Sequence, residues 1–248
     1  MITTKTPQEI QIMAEAGKIL ASVLKEIQEQ AKPGVATIEL DRAAEALILS
    51  KGANPAFKGH EGFPYSLCVS VNENIVHGYP SNYVLKEGDV VGLDLGVLYK
   101  GYYSDMAVTL PVGKVSFEAK RLIDVTKKCL RLAIKKAKPG NTIGDIGNTI
   151  QRFAESQKFG VVQDLCGHGI GKGLHEDPKI PNFGKRKTGE ELKEGMVICI
   201  EPMLTTGSHE LVKAKDGYGF ASKDGSLTAH FEHTIAITKK GARVLTEL

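Results

Sequence analysis

The 248-residue sequence contains no tryptophan, only four cysteines and no apolar run longer than a few residues. The cysteines form no C-x-x-C pair, so free thiols in a reducing compartment are predicted rather than a disulfide framework. They are Cys68, Cys129, Cys166 and Cys199. The first eight residues lack a signal-peptide core, and the longest apolar run, 196–200, is too short to cross a bilayer. We therefore expect a cytoplasmic protein with no membrane association.

Neither basic nor acidic residues are in large excess, because 32 basic and 29 acidic residues leave a net charge of only +3. This balance indicates no polyanionic partner, so we expect no specific nucleic-acid binding. With 42% hydrophobic and 25% charged residues, the composition is that of an ordinary globular protein. No linker or low-complexity stretch divides the chain, and we expect one domain over 1–248.

Two pairs of similar segments recur at nearly the same offset along the chain. L-K-E-G-D-V-V-G-L-D-L-G at 85–96 resembles L-K-E-G-M-V-I-C-I-E-P-M at 192–203, and K-P-G occurs at 32–34 and 138–140. The repetition predicts a pseudo-twofold duplication of an α-α-β unit, approximately 7–112 and 113–248. Chance recurrence of turn residues is the alternative interpretation.

Helix and strand patterns alternate in blocks. Capping residues and apolar periodicity predict helices beginning near Pro7, Thr37, Ser116 and Thr142. Alternating or β-branched runs predict strands over 66–72, 90–99, 102–110, 196–204 and 227–238. Helix pairs combined with mostly antiparallel strands favour an α+β fold, with helices packed on one side of a curved sheet.

The predicted hairpin around Lys100-Gly101 brings two aspartates together. A two-residue turn pairs Tyr99 with Tyr102 and places Asp105 opposite Gly96, so that Asp94 lies on the same face as Asp105. Carboxylates this close raise each other's pKa and need a compensating cation. No arginine lies in the hairpin. A metal site is the interpretation we favour, and a solvated acidic face is the alternative.

The second half contains further groups of the same chemical kind. Glu201 occupies the repeat position of Asp94, Glu232 lies within H-F-E-H-T, and His168 stands between two glycines. A set of carboxylates with one imidazole suits Mn²⁺, Fe²⁺, Co²⁺ or Zn²⁺ in an open catalytic site. Such a set can hold two ions and activate a water molecule, which predicts metal-assisted hydrolysis. Each histidine taken alone, His77 and His175 included, is more often structural.

The ordered motifs H-G-Y-P, D-L-G, S-D, G-H-G-I-G-K-G-L-H-E, I-E-P-M and F-E-H-T resemble those of type I methionine aminopeptidases over nearly the whole chain. The resemblance implies a single catalytic domain with the pita-bread fold. It also implies removal of the initiator methionine from nascent polypeptides when the second residue is small, with transient contact to the ribosome. A solvated lysine-rich surface is the alternative to ribosome contact.

The same resemblance assigns roles to individual residues. Two divalent ions per chain (Co, Mn, Fe or Zn) would be held by five ligands, namely Asp94, Asp105, His168, Glu201 and Glu232. Glu201 would also act as the acid–base group, His175 would stabilise the oxyanion, and His77 would contact the peptide beyond the cleaved bond. The methionine pocket would be lined by Phe57, His60, Phe63, Cys68 and Tyr218.

Some positions depart from the commonest family pattern, although no ligand position does. His60 stands where tyrosine is frequent, Tyr218 where tryptophan is familiar, and Leu174 where phenylalanine often occurs. Ser104 and Cys166 replace a common glycine and threonine. These changes affect the shape of the pocket and the immediate surroundings of the predicted ligands. Two alternatives remain. One is a Xaa-Pro aminopeptidase, although we expect no room here for the large N-terminal domain that those enzymes usually carry. The other is a non-catalytic binding module with the pita-bread fold.

Overall fold

The computed structural model describes residues 2–248. Its four helices are α1 (Pro7–Gln30), α2 (Thr37–Ser50), α3 (Phe117–Lys136) and α4 (Ile143–Ser156). The four predicted helix starts are confirmed, and α1, α3 and α4 have side-chain N-caps, whereas Ala36 at the start of α2 offers none. The Thr6 hydroxyl accepts from the Glu9 N–H while the Glu9 carboxylate accepts from the Thr6 N–H, and Thr142 forms the same capping box at α4. Over the described residues, none of the helices combines the length and the apolar character that crossing a membrane requires.

Fifteen short strands and one 3₁₀ turn (His60–Gly62) complete the secondary structure of residues 2–248. The strands of the first half are β1 (Asn54–Pro55), β2 (Leu67–Val71), β3 (Asn74–Val76), β4 (Val90–Tyr99) and β5 (Tyr102–Pro111). Those of the second half are β6 (Gly160–Val161), β7 (Cys166–Gly169), β8 (Glu176–Pro181), β9 (Val197–Ile200), β10 (Met203–Thr205), β11 (Leu211–Lys213), β12 (Phe220–Ser222), β13 (Thr228–His230), β14 (His233–Thr238) and β15 (Gly241–Val244).

The strands form four antiparallel sheets. In the first, β4 pairs with β5 on one side and with β1 and β2 on the other. A five-stranded sheet has the order β15-β14-β9-β7-β8, and two three-stranded sheets have the orders β13-β10-β6 and β11-β12-β3. The α+β prediction with antiparallel pairing is confirmed, although the strands are divided among several sheets.

Each helix pair covers the apolar face of one large sheet. In the first half, side chains of α1 and α2 form one buried cluster with Val91, Leu93 and Leu95 of β4. In the second half, α3 and α4 pack with Ile198 of β9 and Ile235 of β14. Because strand residues alternate between faces, the polar residues between these apolar ones point away from the helices. The duplication into 7–112 and 113–248 stays a prediction.

The β4–β5 hairpin has the register that the sequence predicts. Tyr99 pairs with Tyr102 and Gly96 with Asp105, while Asp94 pairs with Ala107. Lys100 and Gly101 form the two-residue turn, with φ of 49° and 82° respectively. The positive φ values are those that a type I′ turn requires. Asp94 and Asp105 therefore occupy neighbouring positions on one face of the hairpin.

Two predicted strands prove to be interrupted, and this corrects the sequence interpretation. The run 196–204 breaks after Ile200, and the run 227–238 breaks after His230. Pro202 has no N–H to donate to a ladder, which explains one break. In the other, the Glu232 N–H donates to Ala107 O (2.9 Å) in β5. His233 pairs with Ile200 and His230 with Met203, so one register continues through both breaks and sets Glu201 opposite Glu232.

The two halves are joined where β5 meets the segment 230–234. Thr234 Oγ1 accepts from the Asp105 N–H at 3.0 Å and donates to Asp105 O at 2.8 Å. Thr109 Oγ1 likewise accepts from the His230 N–H (2.9 Å) and donates to His230 O (2.7 Å). These contacts connect residues more than 120 positions apart and bring the acidic face of the first half against that of the second.

Candidate functional site

A cavity of about 360 Å³ opens at this junction. All the site residues predicted from the sequence line it: Phe57, His60, Phe63, Cys68, His77, Asp94, Asp105, His168, His175, Glu201, Tyr218 and Glu232. They come from both halves of the chain and include polar groups as well as aromatic rings. The structure therefore collects the whole predicted set into one place.

Three carboxylates are packed together at the bottom of the cavity. Asp94, Asp105 and Glu232 each offer an oxygen within 4.8 Å of the others. Asp105 and Glu232 are each 3% exposed, so water cannot screen their charges. Asp94 Oδ1 and Glu232 Oε1 are buried without a hydrogen-bond partner among the described residues. Such orphaned oxygens are unusual in folded proteins and indicate a cation that satisfies them.

Burial and mutual repulsion raise the pKa of these carboxyl groups. Desolvation raises the pKa of Asp94 to about 7, and Glu201 adds to the effect. The pKa values of Asp105 and Glu232 are also raised, first by burial and then by the neighbouring carboxylates. Without a counter-charge, the cluster can be fully ionised at neutral pH only at a cost in free energy.

His168 reaches the carboxylates from β7. Its Nε2 lies 4.0 Å from Asp105 Oδ2 and 3.8 Å from both Glu201 Oε1 and Glu232 Oε1. Its Nδ1 lies 2.8 Å from Gly169 O, and because a carbonyl oxygen only accepts, Nδ1 carries the proton. In the neutral ring, the Nε2 lone pair then faces the carboxylates, which is the arrangement of a metal-binding histidine. A Cβ at Gly167 would lie 2.3 Å from Cys199 O, so only glycine allows this approach.

The donor set fits divalent metal ions. Oxygen ligands with one imidazole are what Mn²⁺, Fe²⁺, Co²⁺ and Zn²⁺ accept in catalytic sites. The orphaned oxygens and the raised carboxyl pKa values are both relieved by positive charge at this place. The residues present could therefore hold such ions.

Two more histidines that the sequence singled out, His77 and His175, also line the cavity. The His175 ring is 4.5 Å from the His168 ring, and its Nδ1 is 3.4 Å from His60 Nε2. Burial and the neighbouring imidazoles lower the pKa of His175 to about 4, so the ring is neutral at physiological pH. His77 has a lowered pKa as well, because it is buried. Both rings can donate or accept hydrogen bonds without carrying charge.

The His175 loop is held by the first residues of the described chain. Glu176 Oε2 accepts from Lys5 Nζ at 2.8 Å and from Thr3 Oγ1 at 3.1 Å, while its Oε1 accepts from the Gly173 N–H. The Lys5 ammonium is almost fully buried, which makes this ion pair stronger than an exposed one. The position of His175 is thus supported from behind.

An aromatic pocket adjoins the carboxylates. The Phe63 ring lies 6.4 Å from Phe57 and 5.3 Å from Tyr218, and Cys68 pairs across the sheet with Asp94. A side chain at Gly96 would collide with the Phe57 ring, so the glycine leaves room for it. Burial raises the pKa of the Cys68 thiol well above its ordinary value, so the thiol stays protonated. The pocket suits a flexible apolar or sulfur-containing side chain.

Sequence reasoning missed one buried histidine in the cavity. His230 lies two positions before Glu232, and its Nε2 is 3.3 Å from Glu201 Oε2. Burial alone would lower the pKa of His230, but Glu201 and Asp94 outweigh it and raise the value. The i, i+2 spacing on a strand was a usable signal, because both side chains share a face. Other lining residues outside the predicted set are Glu61, Val76, Leu174, Lys213 and Phe220.

Comparison with known proteins gives a consistent family assignment. Residues 11–239 match metallopeptidase family M24. Methionine aminopeptidase 1 of Bacillus subtilis is 46% identical over 248 residues, covering all of both chains. The crystal structure of methionine aminopeptidase from Thermotoga maritima is 45% identical, has a TM-score of 0.98 and is also covered completely.

A more distant structure shares the architecture. Prolidase from Pyrococcus furiosus has a TM-score of 0.79 at 27% identity. The match includes 99% of this chain and 65% of the prolidase chain. Together with the methionine aminopeptidase structures, it confirms the pita-bread fold expected from the sequence motifs. The fold class and the family resemblance are thus both confirmed.

Proposed function

The chain belongs to metallopeptidase family M24, and from this we propose that it is a methionine aminopeptidase, a metal-dependent exopeptidase that hydrolyses the bond after an N-terminal methionine. Full-length relatives at about 46% identity support the assignment. The structural observation that carries it is the cavity in which four carboxylates and His168 adjoin an aromatic pocket. Hydrolysis and methionine selection thereby occur side by side.

We propose that two divalent ions occupy the acidic end of the cavity. Their ligands would be Asp94, Asp105, His168, Glu201 and Glu232. Asp105 and Glu232 are buried, and each belongs to one group of ligand atoms with Asp94 and to another with His168, so both would contribute to either ion. Ions of this class lower the pKa of a bound water from about 15.7 toward 7 and so supply a nucleophile at neutral pH. Co²⁺, Mn²⁺, Fe²⁺ and Zn²⁺ all suit the donor set.

Three side chains would do the remaining work. Glu201 would accept the proton of the attacking water and pass it to the leaving amine, for which its place beside the carboxylate cluster is suitable. His175, neutral because its pKa is about 4, would donate a hydrogen bond to the scissile carbonyl oxygen. His77, on the far side of the cavity beside Tyr218 and Phe220, would contact the peptide beyond the cleaved bond.

The methionine side chain would enter the aromatic pocket. Its walls are the rings of Phe57, His60, Phe63 and Tyr218, with Cys68 at the sheet. A thioether gains favourable contacts with aromatic rings in addition to burial. The rings are packed against one another, since Tyr79 stacks on Tyr218 at 5.1 Å and Phe63 lies 5.4 Å from Tyr79. A pocket held in shape this way selects by size.

We further propose that the protein acts in the cytoplasm on nascent polypeptides whose second residue is small. The free thiols suit a reducing compartment. The exposed basic side chains of α3, which include Lys120, Lys127, Lys128 and Arg131, offer a surface for transient contact with the ribosome. A solvated surface without a partner is the alternative.

Peptide hydrolysis tests the proposal. Protein loaded with Mn²⁺, Co²⁺ or Fe²⁺ should release methionine from Met-Ala-Ser and leave an Ala-Pro peptide intact. Glu201→Gln should lower kcat by about 10²–10⁴-fold because the proton acceptor is lost. Preference for Ala-Pro would instead indicate a Xaa-Pro aminopeptidase, and inactivity with every metal would contradict the proposal. A protein that binds no metal at all would be a non-catalytic module.

A further inference from the structure

The cavity contains a second imidazole that faces the acidic cluster from the side opposite His168. His230 Nε2 lies 3.3 Å from Glu201 Oε2 and 3.9 Å from Glu232 Oε2. His168 Nε2 lies 3.8 Å from Oε1 of the same two carboxylates. Each carboxylate therefore turns one oxygen toward each histidine.

His230 is locked in this place. The residue is 3% exposed, and its backbone N–H and C=O are both bonded to Thr109 Oγ1. Its Nε2 is buried without a hydrogen-bond partner among residues 2–248. Buried ring nitrogens in folded proteins have partners, so this one indicates an interaction for which the groups are already in position.

Glu201 is the acceptor within reach. Its backbone oxygen accepts from Asn182 Nδ2 at 2.9 Å, so the main chain is fixed while the carboxylate can turn about its own bond. Its Oε2 lies 3.3 Å from His230 Nε2, which is within hydrogen-bonding distance. Its Oε1 lies on the side of His168.

We propose that His230 is a positioning residue, which donates a hydrogen bond from Nε2 to Glu201 Oε2 and thereby reserves Glu201 Oε1 for the reacting side of the cavity. The inference rests on the proposed function, because it assigns the orientation of the group proposed to move the proton. Without this bond, the Glu201 carboxylate loses the contact that fixes which of its oxygens faces away from the reacting side. Outer-shell partners of this kind commonly change metal affinity or activity by about 10–100-fold when they are removed.

Three variants of His230 separate this role from a merely structural one: two remove the hydrogen-bond donor and one replaces it. His230→Phe keeps a ring but has no donor, and His230→Asn has an amide too short to reach Glu201. His230→Gln extends an amide N–H close to the position of Nε2. His233→Gln is the matched control, because His233 lies partly buried in the same segment but its Nδ1 contacts Thr246 Oγ1 at 2.8 Å.

The measurements are Co²⁺ affinity by calorimetry, kinetics with Met-Ala-Ser, and proton NMR of the Co²⁺-loaded protein. His230→Phe and His230→Asn should each lose about 10–100-fold in Co²⁺ affinity and in kcat with little change in KM. His230→Gln should stay within about threefold of the parent, as should the control. The parent should show one strongly shifted exchangeable imidazole proton, that of His168 Nδ1.

Unchanged affinity and kcat in both removal variants would overturn the proposal. Two shifted imidazole protons in the parent would also overturn it, since His230 would then be a metal ligand itself. The parent spectrum requires no variant, and His230→Asn serves if His230→Phe shows no cooperative thermal transition. Absence of hydrolysis by the metal-loaded parent would refute the proposed function, and the affinity and NMR results would still decide the position of His230.

Discussion

Asp94 should make the metal-free protein less stable as the pH rises. Burial raises the pKa of this carboxyl to about 7 in the folded chain, from an ordinary value of 3.8. Between these two values the folded state holds a proton that the unfolded chain has released. Stability falls with pH wherever the folded state binds more protons, so the contribution of Asp94 declines through this window.

The size of the effect follows from the two pKa values. At 1.36 kcal/mol per pKa unit, moving the pKa from 3.8 to about 7 corresponds to ~4 kcal/mol in full. Between pH 5 and pH 8 the loss is ~3 kcal/mol, which lowers the melting temperature of a chain of this length by about 5–10 °C. Saturating divalent metal should abolish the loss, because the cation stabilises the ionised carboxylate.

Two histidines change the stability of the fold with pH in the direction opposite to Asp94. Burial lowers the pKa values of His175 and His233 to about 4, so the unfolded chain binds more protons than the folded one between about pH 4 and 6.5. Their contribution to stability therefore rises with pH. The difference between the parent and Asp94→Asn cancels His175 and His233, whose pKa values do not depend on Asp94. Removing the Asp94 charge also lowers the pKa values of Asp105, Glu232 and His230, so the difference reports Asp94 together with its effect on these neighbours.

Thermal unfolding followed by circular dichroism at pH 5 to 8, after treatment with a chelator, measures this difference. The stability of Asp94→Asn relative to the parent should increase by ~3 kcal/mol over that range. Asp124→Asn, on the exposed side of α3, is the matched control and should follow the parent. Parallel curves for the parent and Asp94→Asn would refute the reasoning, because Asp94 would then ionise normally in the folded chain.

Two further predictions concern the histidine loop and the glycine behind His168. His175→Ala should lower kcat for Met-Ala-Ser by about 10²–10³-fold, as loss of an oxyanion donor does, and an unchanged kcat in a steady-state assay would remove His175 from that role. Gly167→Ala should destabilise the fold by about 1–3 kcal/mol, because its Cβ would lie 2.3 Å from Cys199 O. A melting temperature equal to that of the parent would show that the two strands can move apart without a cost in stability.

The parts of the fold set by short-range geometry could be predicted from sequence. The helix caps at Thr6 and Thr142 are complete in four residues each. The hairpin register follows from its two-residue turn alone, which is why Asp94 and Asp105 could be placed on one face.

The parts set by distant contacts could not. The run 196–204 is apolar and β-branched up to Glu201, so it was interpreted as one strand, and Pro202 was the only signal of a break. That β5 meets the segment 230–234 depends on hydrogen bonds such as the one between Asp105 and Thr234, 129 residues apart. No periodicity reports such a contact, so the sequence suggested only from residue types that the carboxylates of the two halves share one site. His230 belongs to none of the motif positions that carry the family resemblance, and its spacing from Glu232 was the one signal that could have indicated it.

The segments 197–205 and 228–238 keep one pairing register throughout. Glu201 therefore lies opposite Glu232 only while neither segment gains or loses a residue. Inserting or deleting one residue in either segment would invert the faces of every later position along that ladder. The centre should accordingly tolerate exchanges among neighbouring apolar side chains far better than any change in chain length. Length variation among related chains is expected only in the turns outside both segments.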